Sequence, residues 1–411
     1  MSPHNCRFCQ APLTQRFADL GSTPLANSYL SVEALARHEP IYPLVAFVCS
    51  DCRLVQADAF VPPEDIFSHY AYFSSYSESW VQHARRFAAM ATERFGLSAS
   101  SQVIEVASND GYLLRHFVEA GIPALGIEPA ENVAEVARAS GVPTEARFFG
   151  TTTAQDLIQR GLAADLVVGN NVLAHVPDIN DFVAGLSSVL KPDGVVSVEF
   201  PHLLRLIEDV QFDTIYHEHF YYLSLLAVER VFAAHGLRVF DVQELPTHGG
   251  SLRVLACLAS SRVHGDGAGV TKVRTDEAAA GFGDDAIYRS FQNRIAPIKD
   301  GLLSFLHEAK RAGHSVAAYG AAAKGNTLLN FCGVGTDLID YVVDRNPHKQ
   351  GHFLPGSKLP VHAPEKLAET RPDYVLILPW NIKDEVVAAN SQVSSWGGRF
   401  VIAVPEITVL T

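Results

Sequence analysis

Short apolar segments alternate with segments of helical spacing along most of this chain, and they do so in two separate series. The apolar segments lie at 103–106, 124–127, 165–168 and 194–198, and again at 315–320, 341–344, 374–378 and 400–404. Such alternation is typical of parallel sheets with helices on both faces. A chain of 411 residues is too long for one ordinary core. We therefore predict an α/β protein with a central Rossmann-like sheet and a smaller Rossmann-like domain at the C-terminal end.

The end of the first series departs from a plain dinucleotide-binding fold. Segments 237–242 and 251–255 have strand character, and the turn between them contains Gly249 and Gly250. This pattern predicts an antiparallel hairpin that closes the central sheet. Between residues 260 and 285 the composition shifts to Gly, Asp and Ala before a long helix that runs to about Arg311. We place a domain boundary there, and the predicted domains are 1–66, 67–260 and 261–411.

Four of the six cysteines form two pairs, Cys6-x-x-Cys9 and Cys49-x-x-Cys52. Two such turns allow four thiolates to surround one zinc ion, in a reducing compartment where disulfides do not persist. Four thiolates leave no open coordination position, so the predicted zinc is structural. Two redox dithiols are the alternative. The two remaining cysteines, Cys257 and Cys332, stand in apolar stretches and are predicted to be buried.

Charge and hydropathy narrow the classes of partner. The formal net charge of −13 has the wrong sign for a nucleic-acid-binding chain, so small molecules are the expected partners. No apolar run reaches the length of about 18 residues needed to span a membrane. Cys6 and Cys9 stand where a secretory signal would need its apolar stretch. We expect a cytoplasmic protein. The sequence does not indicate the oligomeric state, and a monomer is the simplest expectation.

The loop after the first strand of the central sheet indicates which cofactor it binds. A loop that holds a pyrophosphate needs glycine where this chain has Ala107 and Asn109. S-Adenosylmethionine has no phosphates, and Glu105 could help to bind its ammonium group. Glu128 ends the second strand, where a carboxylate can accept hydrogen bonds from both ribose hydroxyls. The alternative is that these acidic residues only cap their strands.

We therefore predict an S-adenosylmethionine site at the carboxyl edge of the central sheet. The aromatic pair Phe148-Phe149 follows the predicted third strand, which lies between the apolar segments 124–127 and 165–168. The pair is placed to sandwich an adenine ring, unless it packs in the core. The predicted cofactor-binding residues are Glu105, Ala107, Asn109, Gly111, Tyr112, Leu113, Glu128, Pro129, Phe149, Asn170 and Asn171.

Four segments together carry a family resemblance. They are 105–114, 170–178, 216–224 and 320–325, in that order. The whole chain resembles the nucleotide-sugar C-methyltransferases, among them the 3-C-methyltransferases of antibiotic deoxysugar pathways. The resemblance implies a four-cysteine zinc domain, an S-adenosylmethionine domain and a C-terminal domain that holds a dTDP-sugar. It also implies methyl transfer to the carbon beside the keto group of a dTDP-4-keto-deoxysugar.

Methylation of carbon requires a base, because the C–H proton must leave first, and a group that stabilises the enolate oxygen. The segment Tyr216-His217-Glu218-His219 supplies both kinds of group. Histidine titrates near neutrality, and a neighbouring carboxylate can orient its ring. We predict that His219 is the base, with Tyr216 and Glu218 placing the substrate or stabilising the enolate. The resemblance assigns the same chemistry to the matching positions.

Two other interpretations of this segment remain. The two histidines are only two residues apart, which is the wrong spacing for the helical His-Glu-x-x-His metal site. A purely structural aromatic loop is the other, since aromatic clusters often belong to the core. Ser224 is predicted to cap the helix that follows.

Further catalytic candidates lie near the same edge. His175 follows the fourth strand, where ligands bind in open sheets, although a histidine there could also be satisfied locally. Segment 67–76 is similar to the family's flap over the cofactor. Tyr70 is therefore a candidate gate or substrate contact, and Tyr72 and Tyr76 are weaker candidates, with core packing as the alternative for all three.

A second crevice is predicted where Gly320-Ala-Ala-Ala-Lys324-Gly325 opens a helix after a strand. Backbone amides and the helix dipole could meet a diphosphate there, with Lys324 adding a charge, and a merely structural turn is the alternative. The segment is not a P-loop, because the lysine precedes the second glycine. The predicted substrate-binding residues are Tyr76, His217, Tyr222, Lys324, Gly320, Asn326, Asp344, Trp380 and Asn381.

The sequence thus predicts an enzyme that transfers a methyl group from S-adenosylmethionine to a sugar carbon, C3 in preference to C5, next to the keto group of a dTDP-4-keto-deoxysugar. Three alternatives stay open. They are an O-methyltransferase, a bifunctional methyltransferase and ketoreductase, and a zinc-stabilised nucleotide-sugar-binding protein without activity.

Overall fold

The structure is a computed structural model that describes residues 5–58 and 74–410. The strands of its described part, numbered in chain order, are β1 Gln15–Thr23, β2 Tyr42–Val48, β3 Val55–Ala57, β4 Val103–Val106, β5 Ala124–Ile127, β6 Thr144–Glu145, β7 Ala164–Asn170, β8 Leu190–Pro201, β9 Tyr221–Tyr222, β10 Leu237–Leu245, β11 Ser251–Leu258, β12 Val316–Tyr319, β13 Val342–Val343, β14 Val361–His362, β15 Tyr374–Ile377, β16 Arg399–Ile402 and β17 Thr408–Val409.

The α-helices of the same ranges follow the periodicity of their apolar residues. They are α1 Glu78–Phe95, α2 Leu114–Glu119, α3 Glu131–Ala139, α4 Thr151–Gln159, α5 Ile179–Val189, α6 Leu203–Glu208, α7 Leu225–Ala234, α8 Ala268–Ala279, α9 Asp285–Arg311, α10 Ala323–Cys332, α11 Lys366–Thr370 and α12 Lys383–Ala389. None of these helices combines the length and the apolar character that crossing a bilayer requires.

The central sheet has seven strands in the order β10-β11-β8-β7-β4-β5-β6. Strands β4 to β8 pair in parallel, whereas β10 and β11 form the predicted antiparallel hairpin. Parallel strands place their carboxyl ends at one edge, so the loops after β4, β5 and β7 lie together. The predicted α/β class and the terminal hairpin are confirmed.

The C-terminal sheet has the order β14-β13-β12-β15-β16-β17, with parallel pairing except at β17. This is the second, smaller Rossmann-like unit. Helix α8, which the sequence analysis placed after the domain boundary, packs against β10 and α7 of the central unit. The domain limits themselves stay predictions.

A third sheet joins the N-terminal module to the middle of the chain. Its order is β1-β2-β3-β9, so that β9 pairs antiparallel with β3. The other end of this module packs on α9, where the rings of Phe17 and Phe291 stack with their centroids 4.5 Å apart. Buried side chains of this sheet, of α9 and of the C-terminal sheet form one continuous apolar core. The N-terminal module therefore packs against both of the other units.

A buried carboxylate fixes the helix that follows the predicted reactive segment. Ser224 caps α7 as predicted, and its side chain accepts a hydrogen bond from the amide of Ala227. Glu277 on α8 accepts from the amides of Leu225 and Leu226 at 2.6 and 2.8 Å. His202 lies 2.8 Å from the same carboxylate. These contacts satisfy the free amides at the start of α7 and hold its N-terminus in place.

Replacing Glu277 with Gln should lower the free energy of unfolding by about 1–3 kcal/mol, because one of the two accepting oxygens becomes an amide nitrogen that cannot accept. Urea unfolding followed by circular dichroism measures the loss. The matched control is Glu135→Gln, an exposed site on α3, which should change the value by less than about 0.5 kcal/mol. Equal effects in the two variants would contradict the role of this cap.

Candidate active site

One cavity of about 840 Å³ is lined by residues from all three units. It lies at the carboxyl edge of the central sheet. The N-terminal module contributes residues 25 and 27–29, and the C-terminal unit contributes 322–324 and Lys349. The central unit contributes the loops after β4, β5 and β7 together with residues 216, 218, 219 and 221–223. The predicted cofactor loops and the predicted reactive segment therefore share one enclosed space.

The backbone of the cofactor loops adopts the left-handed conformation without glycine. Ala107, Asn109 and Asn171 have φ angles of 55°, 50° and 53°. Side chains other than glycine rarely accept this region, and such residues concentrate at functional sites. Gly111, with φ of 77°, also approaches Val142 so closely that a Cβ would lie 2.9 Å from its Cγ2. The loop thus has the shape of a glycine-rich nucleotide loop, with side chains at two of its positions.

Buried carboxylates surround this loop. Glu128 accepts hydrogen bonds from the amides of Asn109 and Ala130, both at 2.9 Å. Burial raises the pKa of Glu128 and raises that of Glu105 well above its usual value. Among the described residues, one oxygen of Glu105 and one of Asp110 are buried without a hydrogen-bond partner. A bound cation would stabilise this acidic cluster, which fits the ammonium and sulfonium groups of S-adenosylmethionine.

Most predicted cofactor residues line the cavity. Those that do are Ala107, Asn109, Tyr112, Glu128, Pro129, Phe149, Asn170 and Asn171, together with Phe148. Glu105, Gly111 and Leu113 do not line it. Leu113 is fully buried before α2, and Glu105 lies beneath the loop, 1% exposed.

The ring of His219 is held in one orientation and one tautomer. Its Nδ1 lies 2.8 Å from the carbonyl oxygen of Thr214, which can only accept, so Nδ1 carries the proton and Nε2 keeps its lone pair. The Tyr216 ring packs on it, with centroids 4.0 Å apart. Burial, and then the nearby His175, lower the pKa of His219 well below its usual value. His219 is therefore a neutral imidazole, the protonation state of a general base.

Glu218, the residue before His219, has a carboxyl group with a shifted pKa. Burial raises its pKa to about 7. The side-chain amide of Asn27, in the N-terminal module, donates to both carboxylate oxygens at 2.7 and 2.8 Å. These bonds and the charge of Lys349 oppose the effect of burial on that pKa. Glu218 is consequently close to half ionised near pH 7.

Two neighbours complete the aromatic wall. His175 donates Nδ1–H to the carbonyl oxygen of Glu218 at 2.8 Å, and its ring centroid lies 4.7 Å from that of His219. Burial lowers the pKa of His175 to about 4. Tyr222 lines the cavity and donates to the carbonyl oxygen of His219 at 3.2 Å. All four described catalytic candidates, namely Tyr216, Glu218, His219 and His175, are thus brought together.

The N-terminal module contacts and supports the segment that contains His219. Strand β9, two residues after His219, pairs with β3. Arg7, between Cys6 and Cys9, donates to the carbonyl oxygens of Ala57 and Phe220 at 2.7 and 3.4 Å. The predicted substrate residue His217 faces this module instead of the cavity, with Nε2 3.1 Å from the carbonyl oxygen of Pro43. Its position assigns it to the support of the loop.

The four cysteines of the module converge as predicted. The sulfur atoms of Cys6 and Cys52 lie 3.5 Å apart, as do those of Cys9 and Cys49, and all four lie within 4.8 Å of one another. Four ligands at the usual Zn–S length would be separated by about 3.8 Å. Gln56 on β3 donates to the Cys6 sulfur at 3.2 Å. The donor set and its spacing fit a tetrahedral zinc ion.

Of the predicted substrate residues in the C-terminal unit, only Lys324 lines the cavity. The others support it. Asn326 donates to the carbonyl oxygen of Ala26 at 2.6 Å, Asp344 accepts from the amide of Ala321, Asn381 accepts from Lys324, Trp380 donates to Asp213, and Gly320 packs so tightly that a Cβ would lie 2.5 Å from Pro379. These bonds position the loop and join the units.

Tyr76 is 66% exposed and does not line the cavity. Tyr70 and Tyr72 lie outside the described residues. Sequence reasoning missed several lining residues: Asn27, Tyr29, Trp80, Thr214, His248 and Lys349. None stands in a segment with a recognisable motif. Only the Gly249-Gly250 pair after His248 marks its turn as unusual.

Replacing Asn27 with Ala should raise the pKa of Glu218 above its value of about 7, because the lost hydrogen bonds favour the carboxylate over the acid. Carbon-13 NMR titration of glutamate-labelled protein measures it, with the Glu218→Gln variant identifying the signal. An unchanged or lower pKa would show that Asn27 does not hold this carboxylate.

Comparison with known proteins covers each unit. Residues 6–67 match a family described as "Putative zinc binding domain", residues 80–242 match a methyltransferase domain, and residues 246–405 match the C-methyltransferase C-terminal domain. The N-terminal and central assignments agree with the cysteine cluster and the cofactor loops described above.

The full length also matches a curated relative. The chain is 37% identical over 406 residues to the C-methyltransferase NovU of Streptomyces niveus, covering 99% of this chain and 96% of that protein. It is 27% identical over 101 residues to a ubiquinone biosynthesis O-methyltransferase of Bartonella bacilliformis, covering 24% of this chain and 41% of that one. The solved magnesium protoporphyrin IX methyltransferase of Synechocystis with bound SAM covers 43% of this chain and 78% of its own at 15% identity and a TM-score of 0.33. The chain belongs to the S-adenosylmethionine-dependent C-methyltransferases.

Proposed function

We propose that this C-methyltransferase alkylates a sugar carbon, C3, adjacent to the keto group of a dTDP-4-keto-deoxysugar in deoxysugar biosynthesis for an antibiotic. The observation that carries the proposal is the neutral imidazole of His219 in a cavity shared by the cofactor loops and by two lysines of the C-terminal unit. A carbon nucleophile needs such a base, and a nucleotide-sugar needs cations.

S-Adenosylmethionine supplies a methyl group on a positively charged sulfur. The loop after β4 and the carboxylate of Glu128 would bind its nucleoside, and Phe149 would pack on its adenine ring. Glu105 and Asp110, buried at the base of the loop, balance its positive charges. These residues, with Asn170 and Asn171, support a donor site at the carboxyl edge of the sheet.

His219 removes the proton from the sugar carbon through Nε2, while Nδ1 stays bonded to Thr214. The two electrons of the C–H bond move toward the keto oxygen, and the resulting enolate carbon attacks the methyl group. Glu218 and Tyr216 position the sugar ring. The lowered pKa of His219 makes it a weak base before substrate binds. The negative charge of a bound diphosphate and of an enolate would raise that pKa.

The cation best placed for a diphosphate is Lys349. It lines the cavity, and its Nζ donates to the carbonyl oxygen of Ala321 at 2.7 Å, beside the loop that opens α10. Asp344 lies 3.8 Å from it. Burial lowers the pKa of Lys349, so that an anionic ligand would stabilise its charged form. We assign the diphosphate to Lys349, beside the cavity-lining residues 322 and 323.

The cysteine cluster is proposed to hold one structural zinc ion. Gln56 links the metal site to the active site, because its side chain donates to Cys6 while its backbone pairs with Tyr221 of β9. Loss of the metal would therefore loosen the strand that follows His219.

The variant His219→Asn should lose turnover by at least about 10²-fold, while the dissociation constant for S-adenosylmethionine stays within about threefold, because His219 belongs to the substrate side of the cavity. Transfer of labelled methyl to a panel of dTDP-4-keto sugars and calorimetric titration of the donor measure the two quantities. His314→Asn, an exposed site, is the matched control. Retained turnover in His219→Asn would place the base elsewhere.

The variant Cys49→Ser should lose the metal and lower both the thermal midpoint and the turnover, because the ligand set would be incomplete. Elemental analysis of the purified protein should give one zinc per chain in the wild type and much less in the variant. The control is Cys257→Ser, at a cysteine outside the cluster, which should keep its zinc. Equal zinc content in wild type and Cys49→Ser would refute the site.

A further inference from the structure

Lys324 is held in a fixed position where the C-terminal unit meets the central unit. Its Nζ donates to Asn381 Oδ1 at 2.6 Å and lies 4.6 Å from the ring centroid of Trp380. Trp380 donates in turn to Asp213 at 2.7 Å, and Asp213 is fully buried. Burial lowers the pKa of Lys324, and the charge of Asp213 opposes that effect. Lys324 is thus a cation held in one position, and its counter-charge, Asp213, is not directly bonded to it.

His248 approaches the same space from a strained turn. It has φ of 55°, and the turn continues through Gly249 and Gly250 at 87° and 112°. A Cβ at Gly249 would lie 2.5 Å from the ring of Trp380, the residue that holds Lys324. Non-glycine residues in this conformation persist where surrounding structure imposes them. Packing between the units therefore fixes His248 relative to Lys324.

The hydrogen bonding of His248 makes it a neutral donor. The side-chain nitrogen of Asn171, which can only donate, lies 3.2 Å from His248 Nε2. With the Asn171 amide in this orientation, Nε2 accepts and Nδ1 carries the proton. Burial lowers the pKa of His248 to about 4, so the ring is neutral at physiological pH. Among the described residues, no hydrogen bond is made by this Nδ1–H, and the ring lines the cavity.

Lys324 and His248 line the same cavity as the base, His219. Electrostatic interactions with Lys324 and with His248 each lower the pKa of His219. The charge of Lys324 also lowers that of His248. Glu218 is less suited to stabilise an enolate, because it is about half ionised near pH 7 and a carboxylate would repel the negative oxygen. A cation and a neutral N–H donor have the required polarity.

We propose that Lys324 Nζ and His248 Nδ1–H together form the oxyanion site that stabilises the enolate oxygen of the substrate. This inference rests on the proposed function. When His219 takes the proton, the C–H electron pair forms a C=C bond and the keto π pair moves onto oxygen, where the two donors meet it. As the carbon attacks the methyl group, the C=O bond re-forms and the S–CH₃ bond breaks, so that the products are methylated sugar, S-adenosylhomocysteine and protonated His219.

The assignment changes the expectation from the sequence, which gave Lys324 to the diphosphate. The two roles differ in what they stabilise. A diphosphate contact acts equally on bound substrate and on the transition state, so its loss raises KM. An oxyanion contact strengthens only as charge develops, so its loss lowers kcat. Lys349, which also lines the cavity and donates to the carbonyl oxygen of Ala321, provides the matched comparison.

The test compares Lys324→Met, His248→Asn and Lys349→Met in the full-length zinc-loaded enzyme, with kcat and KM for a dTDP-4-keto sugar that the wild type methylates. Asn tolerates positive φ well, so His248→Asn preserves the turn even if Lys324→Met folds poorly. The expected result is a loss in kcat of about 10²–10³-fold for each of the first two variants. Their dissociation constants for dTDP should stay within about threefold, whereas Lys349→Met should weaken dTDP binding by at least tenfold.

A raised KM and weakened dTDP binding with intact kcat in Lys324→Met would overturn the inference and return the lysine to the diphosphate. Unchanged kcat in His248→Asn would also overturn it. Failure of the wild type to methylate any dTDP-4-keto sugar would instead refute the proposed function, so the two failures are distinguishable.

Discussion

The pairing of β3 with β9 is the contact on which the site depends. It inserts the two residues Tyr221 and Tyr222 as the fourth strand of the N-terminal sheet. The reactive segment directly before them cannot move independently, because its end is part of a sheet that the cysteine cluster stabilises at its other strands. The four-cysteine module, remote in sequence from the base, thereby acts as the frame for the imidazole. A structural zinc ion with no open coordination position would act in this transferase by stabilising that frame.

Burial is the second constraint, and it shifts the pKa of several groups that line the cavity. His175, His219 and His248 are all neutral because desolvation disfavours their charged forms. The same effect lowers the pKa of Lys324 and raises that of Glu218. An anionic substrate in such a cavity would meet hydrogen-bond donors that are already oriented and shielded from water. Such donors stabilise more strongly the charge that develops during the reaction.

Sequence periodicity predicted both Rossmann-like sheets and the hairpin, since each follows from local alternation of apolar and polar residues. The cofactor loop and His175 were predicted at one edge because parallel strands bring their carboxyl ends together. Tyr216, Glu218 and His219 were predicted from the chemistry of their side chains and from the family resemblance. Sequence periodicity could not predict β9, a strand of two residues whose partner lies about 165 positions earlier. Asn27, Lys349 and His248 were missed for the same reason: each reaches the cavity through tertiary packing and carries no motif. Conversely, Asn326 and Trp380 stand in a motif-like setting, yet their side chains bond to other units.

The central claim is that one imidazole removes a proton from a sugar carbon before the methyl group moves. The most direct measurement is proton NMR of a dTDP-4-keto sugar incubated with the enzyme in D₂O, with S-adenosylhomocysteine in place of the methyl donor. The account predicts that the proton on the carbon beside the keto group exchanges for deuterium with wild-type enzyme and that His219→Asn abolishes the exchange. Methylation of the sugar without any such exchange in the wild type, or exchange that survives loss of His219, would contradict it.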